Sequence, residues 1–305
     1  MSSVLELTPP LAVGAPSDGS ARVAAPRGNG PASSMRVHAM TYLARDTAAV
    51  ELRPIDGQAL TSFSAGAHID LELPNGLRRS YSLCNPQGET HRYVIGVKRA
   101  ADSRGGSRFI YEQLRIGATL KIGFPVNNFK LEEDAPYVVF IAGGIGITPI
   151  WCMVQRLVAL GNPFELHYAS RTRDDAAFIA ELTELNGGRG RLINLTFDHE
   201  PGATMLDLSA IVARAPAGSH FYACGPSPML RATAFVAREL GVPAQLALEE
   251  TMACGVGGCW GCVAPIDQTS AQAPGFPGPD AGGSGVVFAR VCKEGPVFWA
   301  HELRW

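Results

Sequence analysis

The alternation of apolar and polar positions changes twice along the chain, and each change marks a different kind of structure. Short runs of alternating, β-branched character recur at 35–44, 49–54, 67–73, 79–84, 92–98 and 119–123. Turn formers such as Pro74-Asn75-Gly76 and Asn85-Pro86 separate them, as tight reversals between antiparallel strands require. Six strands so spaced predict an antiparallel β-barrel over residues 35–133. After Asp134 the pattern becomes strand, glycine turn, helix. An apolar strand at 137–142 leads through Gly143-Gly144-Ile145-Gly146 into a helix at 150–160, followed by strand 164–169, helix 174–185, strands 191–197 and 220–224, and helix 228–240. That alternation predicts an α/β domain with an open parallel sheet over residues 134–243.

The remaining segment, 244–305, is rich in glycine and cysteine and is expected to form a small third domain. Its low-complexity stretch, 269–285, reads as a surface loop. Residues 1–34 are rich in Ala, Pro, Gly and Ser and lack the charged start and apolar block of a secretory signal. They are expected to be a disordered tail. The chain is thus read as multidomain.

Composition narrows the function. With 305 residues, 46% of them hydrophobic, the chain can bury two or three modules. A net charge of -2 gives no electrostatic reason for a nucleic-acid partner. The apolar run 137–150 is too short, and too interrupted by glycine and proline, to span a bilayer. Seven cysteines are an odd number, and four of them gather in one constellation, which implies a reducing, cytoplasmic compartment.

Cys254, Cys259 and Cys262 are spaced C-x4-C-x2-C, and Cys292 follows after a long gap. This is plant-type [2Fe-2S] spacing. Gly255, Gly257, Gly258 and Gly261 would let backbone N–H groups approach the sulfurs. A four-cysteine zinc site would use the same thiolates but commonly shows two C-x2-C knuckles, and only one is present.

Arg79-Ser80-Tyr81-Ser82 falls on a predicted barrel strand, and Arg104-Gly105-Gly106-Ser107 at a turn before a helix. A flavin needs a cationic, N–H-rich pocket for its phosphate and polar groups beside its ring. Arg79 is a candidate for the phosphate, Tyr81 for the ring or ribityl chain, and Ser82 for the N5 edge, with Gly105, Gly106 and Ser107 completing a nest. Taken alone, the strand motif also fits an ordinary barrel wall.

Gly143, Gly144, Gly146, Thr148 and Pro149 lie between a buried strand and a helix, where N–H groups and the helix dipole favour a pyrophosphate. Cys224, Gly225 and Pro226 end another strand at the same sheet edge, where open α/β folds bind ligands. Cys224 would there face the nicotinamide, or be only a small buried hydrophobe. Ser170 and Arg171 follow the second strand beside the expected adenosine ribose, and an arginine there would bind a 2'-phosphate or sit on a solvated face. NADH and NADPH both stay open. Trp299 and Trp305 read as packing or as a docking patch.

Through 79–85, 92–95, 104–107, 143–149 and 222–226 the chain resembles the ferredoxin-NADP reductase superfamily, and in particular its phthalate dioxygenase reductase branch. The resemblance implies FMN, NADH and an oxygenase component as protein electron acceptor. The segments 248–255 and 291–298 instead resemble the iron-sulfur end of the electron-transfer subunit of dihydroorotate dehydrogenase B, which implies FAD and a partner flavoprotein as the alternative. Together these imply hydride transfer from NAD(P)H to flavin N5 and single-electron delivery through the cluster, with a stand-alone diaphorase as a further alternative.

Overall fold

The computed structural model describes residues 33–188, 190–249, 258–267 and 285–305. The expected tail up to residue 32, most of the loop at 269–285, and Cys254 with Gly255 and Gly257 lie outside the described residues.

The first layer is antiparallel throughout. It contains β1 (Ser33–Ala44), β2 (Thr47–Pro54), β3 (His68–Glu72), β4 (Arg78–Ser82), β5 (Tyr93–Lys98) and β6 (Thr119–Ile122), in the order β4-β3-β6-β1-β2-β5. In β1, buried Met35 and Val37 alternate with exposed Ser34, Arg36 and His38, so one face supplies the core. The two edges meet where Leu83 bridges Ile95 and the Cys84 N–H donates to the Val94 carbonyl at 2.8 Å. The expected barrel therefore closes through the residues that follow the Arg79–Ser82 motif. Strand β1 begins at Ser33 rather than at Met35, because Ser33 and Ser34 pair with Ile122 and Lys121. Helix α1 (Gly106–Glu112) follows β5 and buries Ile110 in the same core.

The second layer contains β7 (Val138–Gly143), α2 (Ile147–Leu160), β8 (Phe164–Ser170), α3 (Ile179–Leu185), β9 (Arg191–Phe197), α4 (Leu208–Arg214), β10 (His220–Cys224), α5 (Ser227–Glu239) and β11 (Ala244–Ala247). Strands β12 (Val263–Asp267), β13 (Val286–Arg290) and β14 (Val297–Trp299) follow. The sheet order is β14-β11-β10-β7-β8-β9, parallel except for β14. Every residue of central β7 is buried, as expected of a strand covered on both faces.

Three further expectations change. Helix α2 starts at Ile147, because Gly144–Gly146 form a 3₁₀ turn that runs straight into it. The helix expected from 174 begins only at Ile179, since Phe178 takes a left-handed conformation (φ 60°) and stacks on Trp151 at 5.3 Å. The boundary expected at 243 falls inside this layer, because β11 and β14 are strands of the parallel sheet. Cys262, Cys292, Ala264 and Val291 share one apolar core with Ile141, Leu246, Phe298 and helices α4 and α5. Cys262 and Cys292 are therefore seated on the sheet. Trp299 pairs with Gln245 and Trp305 lies under the Arg231 guanidinium, so both tryptophans have packing partners.

Candidate functional site

Strand β4 divides its motif between two faces. Pairing sets Arg79 opposite Leu71 and Tyr81 opposite Ile69, so both side chains share the face of those buried residues. Ser80 is on the other face, where its hydroxyl donates to the Asp70 carboxylate, which also takes Arg78 at 3.0 Å. Ser80 is therefore committed away from Arg79 and Tyr81, while Ser82 is half-buried at the strand end. The Arg79 side chain lies along Gly106, where an added Cβ would stand 2.8 Å from its Nε and 2.9 Å from its Cγ. Gly105 precedes it with φ 95°, a conformation that favours glycine. Arg79, Gly105 and Gly106 thus form one cradle. Ser107 donates to Ser103 at 3.0 Å, and Arg104 is exposed. Burial pushes the Tyr81 phenol up to about 12, against the opposing charge of Arg79.

The end of the motif is clamped. The Asn85 side chain accepts the Val94 N–H at 2.9 Å and donates to Glu89 at 3.2 Å. Arg92 bonds Glu89 at 2.7 Å and Glu51 at 2.9 Å, completing a charge-assisted network beneath it.

The two nucleotide-type loops touch through their backbones. A Cβ on Gly146 would come within 2.2 Å of the Cys224 carbonyl oxygen, and one on Gly225 within 2.9 Å of Gly143 Cα. A Cβ on Gly143 would meet Pro226 Cδ at 2.5 Å. The Thr148 hydroxyl donates to the Ile145 carbonyl at 3.0 Å, and Pro149 is buried in the first turn of α2. Ser170 ends β8 at the same sheet edge. Its carbonyl accepts the Asp198 N–H at 3.1 Å, and that of Arg171 accepts the His199 N–H at 2.8 Å. The Arg171 side chain is exposed, and Arg173 lies over the Phe197 ring at 4.8 Å.

Barrel and sheet meet at these loops. Gly96 of β5 faces Thr148, and Gln155 of α2 donates to the Cys84 carbonyl at 2.7 Å. Burial pushes the Cys224 thiol up to about 12, with the nearby Glu249 carboxylate reinforcing it. The Glu249 carboxyl is itself raised, first by desolvation, with Lys98 of β5 opposing and Asp102 adding. Glu249 lies two residues past the end of β11 and is exposed.

Of the predicted cysteines, Cys262 and Cys292 converge. The Cys292 N–H donates to Cys262 Sγ at 3.4 Å, and the Val291 N–H to the Cys262 carbonyl at 2.7 Å. Cys259 is exposed, three residues earlier on the same loop. Among the described residues no three His, Cys, Asp or Glu side chains gather into a metal cage. Beside the buried pair, Arg290 is bound by Glu294 at 2.6 Å and lies over the Trp260 ring at 4.7 Å. Glu294 holds the proton on the guanidinium most strongly, and the Cys292 and Cys262 sulfurs add to it.

Comparison with known proteins places this architecture. Residues 140–234 match the oxidoreductase NAD-binding domain. The chain superposes on phthalate dioxygenase reductase, a modular structure for electron transfer from pyridine nucleotides to [2Fe-2S], with a TM-score of 0.66 and 27% identity, covering 77% of this chain and 86% of that one. The chain thus carries a ferredoxin-NADP reductase-like NAD-binding domain. The chain is 53% identical to phenoxybenzoate dioxygenase subunit beta of Ectopseudomonas oleovorans, over 71% of this chain and 66% of that protein. It is 52% identical to tetrachlorobenzoquinone reductase of Sphingobium chlorophenolicum, over 65% of this chain and 61% of that protein. The aligned part spans under two thirds of either relative. In fold alone, an NADH-dependent reduced ferredoxin-NADP oxidoreductase matches with a TM-score of 0.65 at 21% identity, covering 91% of this chain and 92% of that one.

Sequence reasoning missed Gly96, Glu249, Trp260, Arg290 and Glu294. Glu249 follows an apolar strand directly, and Arg290 and Glu294 flank Cys292 at a helical spacing.

Proposed function

We propose that the chain is an NAD(P)H-dependent flavin and [2Fe-2S] reductase that delivers single electrons to a partner protein, an oxygenase component. The observation that supports this reading is the approach of the predicted flavin strand to the two predicted nucleotide loops. The Arg79 strand closes onto β5, β5 abuts the 143–148 loop through Gly96 and Thr148, and that loop touches Cys224. The oxygenase context comes from the dioxygenase relative.

The residues fit the groups this function requires. The Arg79–Gly105–Gly106 cradle suits the flavin phosphate, FMN ahead of FAD, and a side chain at Gly106 would fill it. The touching loops at 143–149 and 224–226 would hold the dinucleotide, with Ser170 and Arg171 beside its ribose. Cys254, Cys259, Cys262 and Cys292 would hold the cluster, and the N–H donated to Cys262 Sγ is a contact such thiolates favour. Bound flavin would supply hydride acceptance at N5 and release of the electrons one at a time to a one-electron iron-sulfur centre.

The protein's own part is positional. Cys224 remains a neutral thiol, since its proton is held up to about 12. It therefore orients and excludes water rather than acting as a base. Gln155 and Cys152 of α2, donating to the Cys84 and Asn85 carbonyls, tie α2 to the residues that follow the Arg79–Ser82 strand.

The test is an absorption spectrum of anaerobically purified protein, with iron and acid-labile sulfide assays and titration with NADH. Flavin bands over broad iron-sulfur absorption, both bleached by NADH, are expected. Flavin without iron or sulfide would remove the cluster and leave a diaphorase, a reading the quinone reductase relative keeps in view.

A further inference from the structure

Arg290 closes β13 two residues before Cys292, and its register partner Val263 follows Cys262 directly. Its Nη2 donates to Glu294 Oε1 at 2.6 Å and its Nε to Oε2 at 3.1 Å, while the Arg290 backbone N–H reaches the same carboxylate at 2.7 Å. The indole of Trp260, between Cys259 and Cys262 in sequence, covers the guanidinium at 4.7 Å. The two charged side chains are only 12% and 16% exposed. A bidentate pair shielded in this way holds both charges in fixed places, in surroundings that screen them less than water does. Desolvating such a pair gives little net stability, so its place beside two buried thiols calls for another role.

We propose that the Arg290–Glu294 pair, capped by Trp260, sets the reduction potential of the iron-sulfur centre. The centre gains one negative charge when it takes up one electron, and no proton need move. The guanidinium beside Cys262 and Cys292 favours that reduced state, and Glu294 opposes it. The inference rests on the [2Fe-2S] reading given under Proposed function.

The experiment is an EPR-monitored dithionite titration of the whole chain and of three variants, with iron and sulfide measured on each. Arg290→Gln is expected to lower the midpoint potential, Glu294→Gln to raise it, and Arg290→Lys to leave it near that of the unsubstituted protein. Opposite signs from the two partners are the signature of a charge effect, since loosened packing has no reason to give them. Unmoved potentials, or shifts of one sign, in cluster-loaded protein overturn the proposal and leave the cluster reading intact. Absence of iron, sulfide and signal from the unsubstituted chain removes the cluster reading and this inference with it. Should Arg290→Gln purify without its cluster, Glu294→Gln decides alone: anything but an upward shift overturns the proposal.

Discussion

Gly96 on the barrel and Thr148 on α2 are in such close contact that a Cβ on Gly96 would stand 2.5 Å from Thr148 Cγ2. The same Cβ would lie 3.6 Å from Cys84 Sγ, so β5, the residues after β4 and the start of α2 share one point. Gly96 is buried in the middle of β5, where an ordinary strand would carry a side chain. Its absence is what lets the two layers close.

Gly96→Ala tests that contact. Thr148 is buried and its hydroxyl is bonded to Ile145, so the methyl cannot swing away freely. Overpacking of this kind costs about 1–3 kcal/mol. The variant is expected to show a lower Tm in thermal melts and slower flavin reduction by NADH in stopped-flow. An unchanged Tm with unchanged hydride transfer would show that the layers do not depend on this approach.

Gly146→Ala separates nucleotide binding from general stability. The added methyl would meet backbone, the Cys224 carbonyl oxygen at 2.2 Å and carbon at 2.4 Å, and backbone cannot rotate aside. The 143–146 and 224–225 loops must then separate, spoiling the edge where the dinucleotide would lie. A rise in KM for NADH of about tenfold or more is expected, which corresponds to about 1.4 kcal/mol of lost binding. Steady-state dye reduction measures it. A normal KM would place the nucleotide elsewhere.

The parts legible in the sequence were those governed by local periodicity. Strands at 191–197 and 220–224 agree with β9 and β10 because alternating or continuous apolar runs bounded by turn residues leave little freedom. Helix α3 departed from its pattern because Phe178 gives up helical geometry to stack on Trp151, a contact distant in sequence. Strands β11 and β14 were hidden because four- and three-residue strands carry too short a pattern, and their place in the sheet is fixed only by pairing with β10 and with each other. The site followed the same rule. Motif residues such as Arg79 and Gly146 stood out, whereas Gly96, Glu249 and Arg290 gain meaning only from neighbours the fold supplies.

The Arg92 network predicts an acid limit to stability. Hydrogen bonds from Arg92 hold the Glu89 carboxyl below its usual value of 4.5, and at Glu51 the bonds from Arg53 and Arg92 outweigh the upward push of burial. Carboxyls lowered on folding add stability above the unfolded value, and that stability is lost as pH falls through the folded value. Tm is therefore expected to be level between pH 5 and 7 with respect to these groups and to fall below about 4.5. Arg92→Gln should lower stability at pH 7 by about 1–3 kcal/mol and flatten the acid dependence. Melts at a series of pH values measure both, and a variant with the original acid slope would assign the limit to other carboxyls.

Cys259→Ser tests the order of electron flow with little risk to the fold. Cys259 is exposed, unlike Cys262 and Cys292, so the substitution removes a thiolate without opening a cavity, and its direct effect on stability should stay within about 0.5 kcal/mol. Iron and sulfide content is expected to fall sharply, because an oxygen ligand replaces a soft thiolate at an iron site. The flavin cradle at Arg79 and Gly106 and the loops at Gly146 and Cys224 belong to other elements, so NADH-dependent reduction of a small dye should persist near the unsubstituted rate. Reduction of a one-electron protein acceptor such as cytochrome c should drop by at least about tenfold, since the exit through the cluster is gone. Loss of both activities together would mean that the cysteine segment shapes the hydride-transfer site itself, and full retention of protein reduction would mean that electrons leave directly from the flavin.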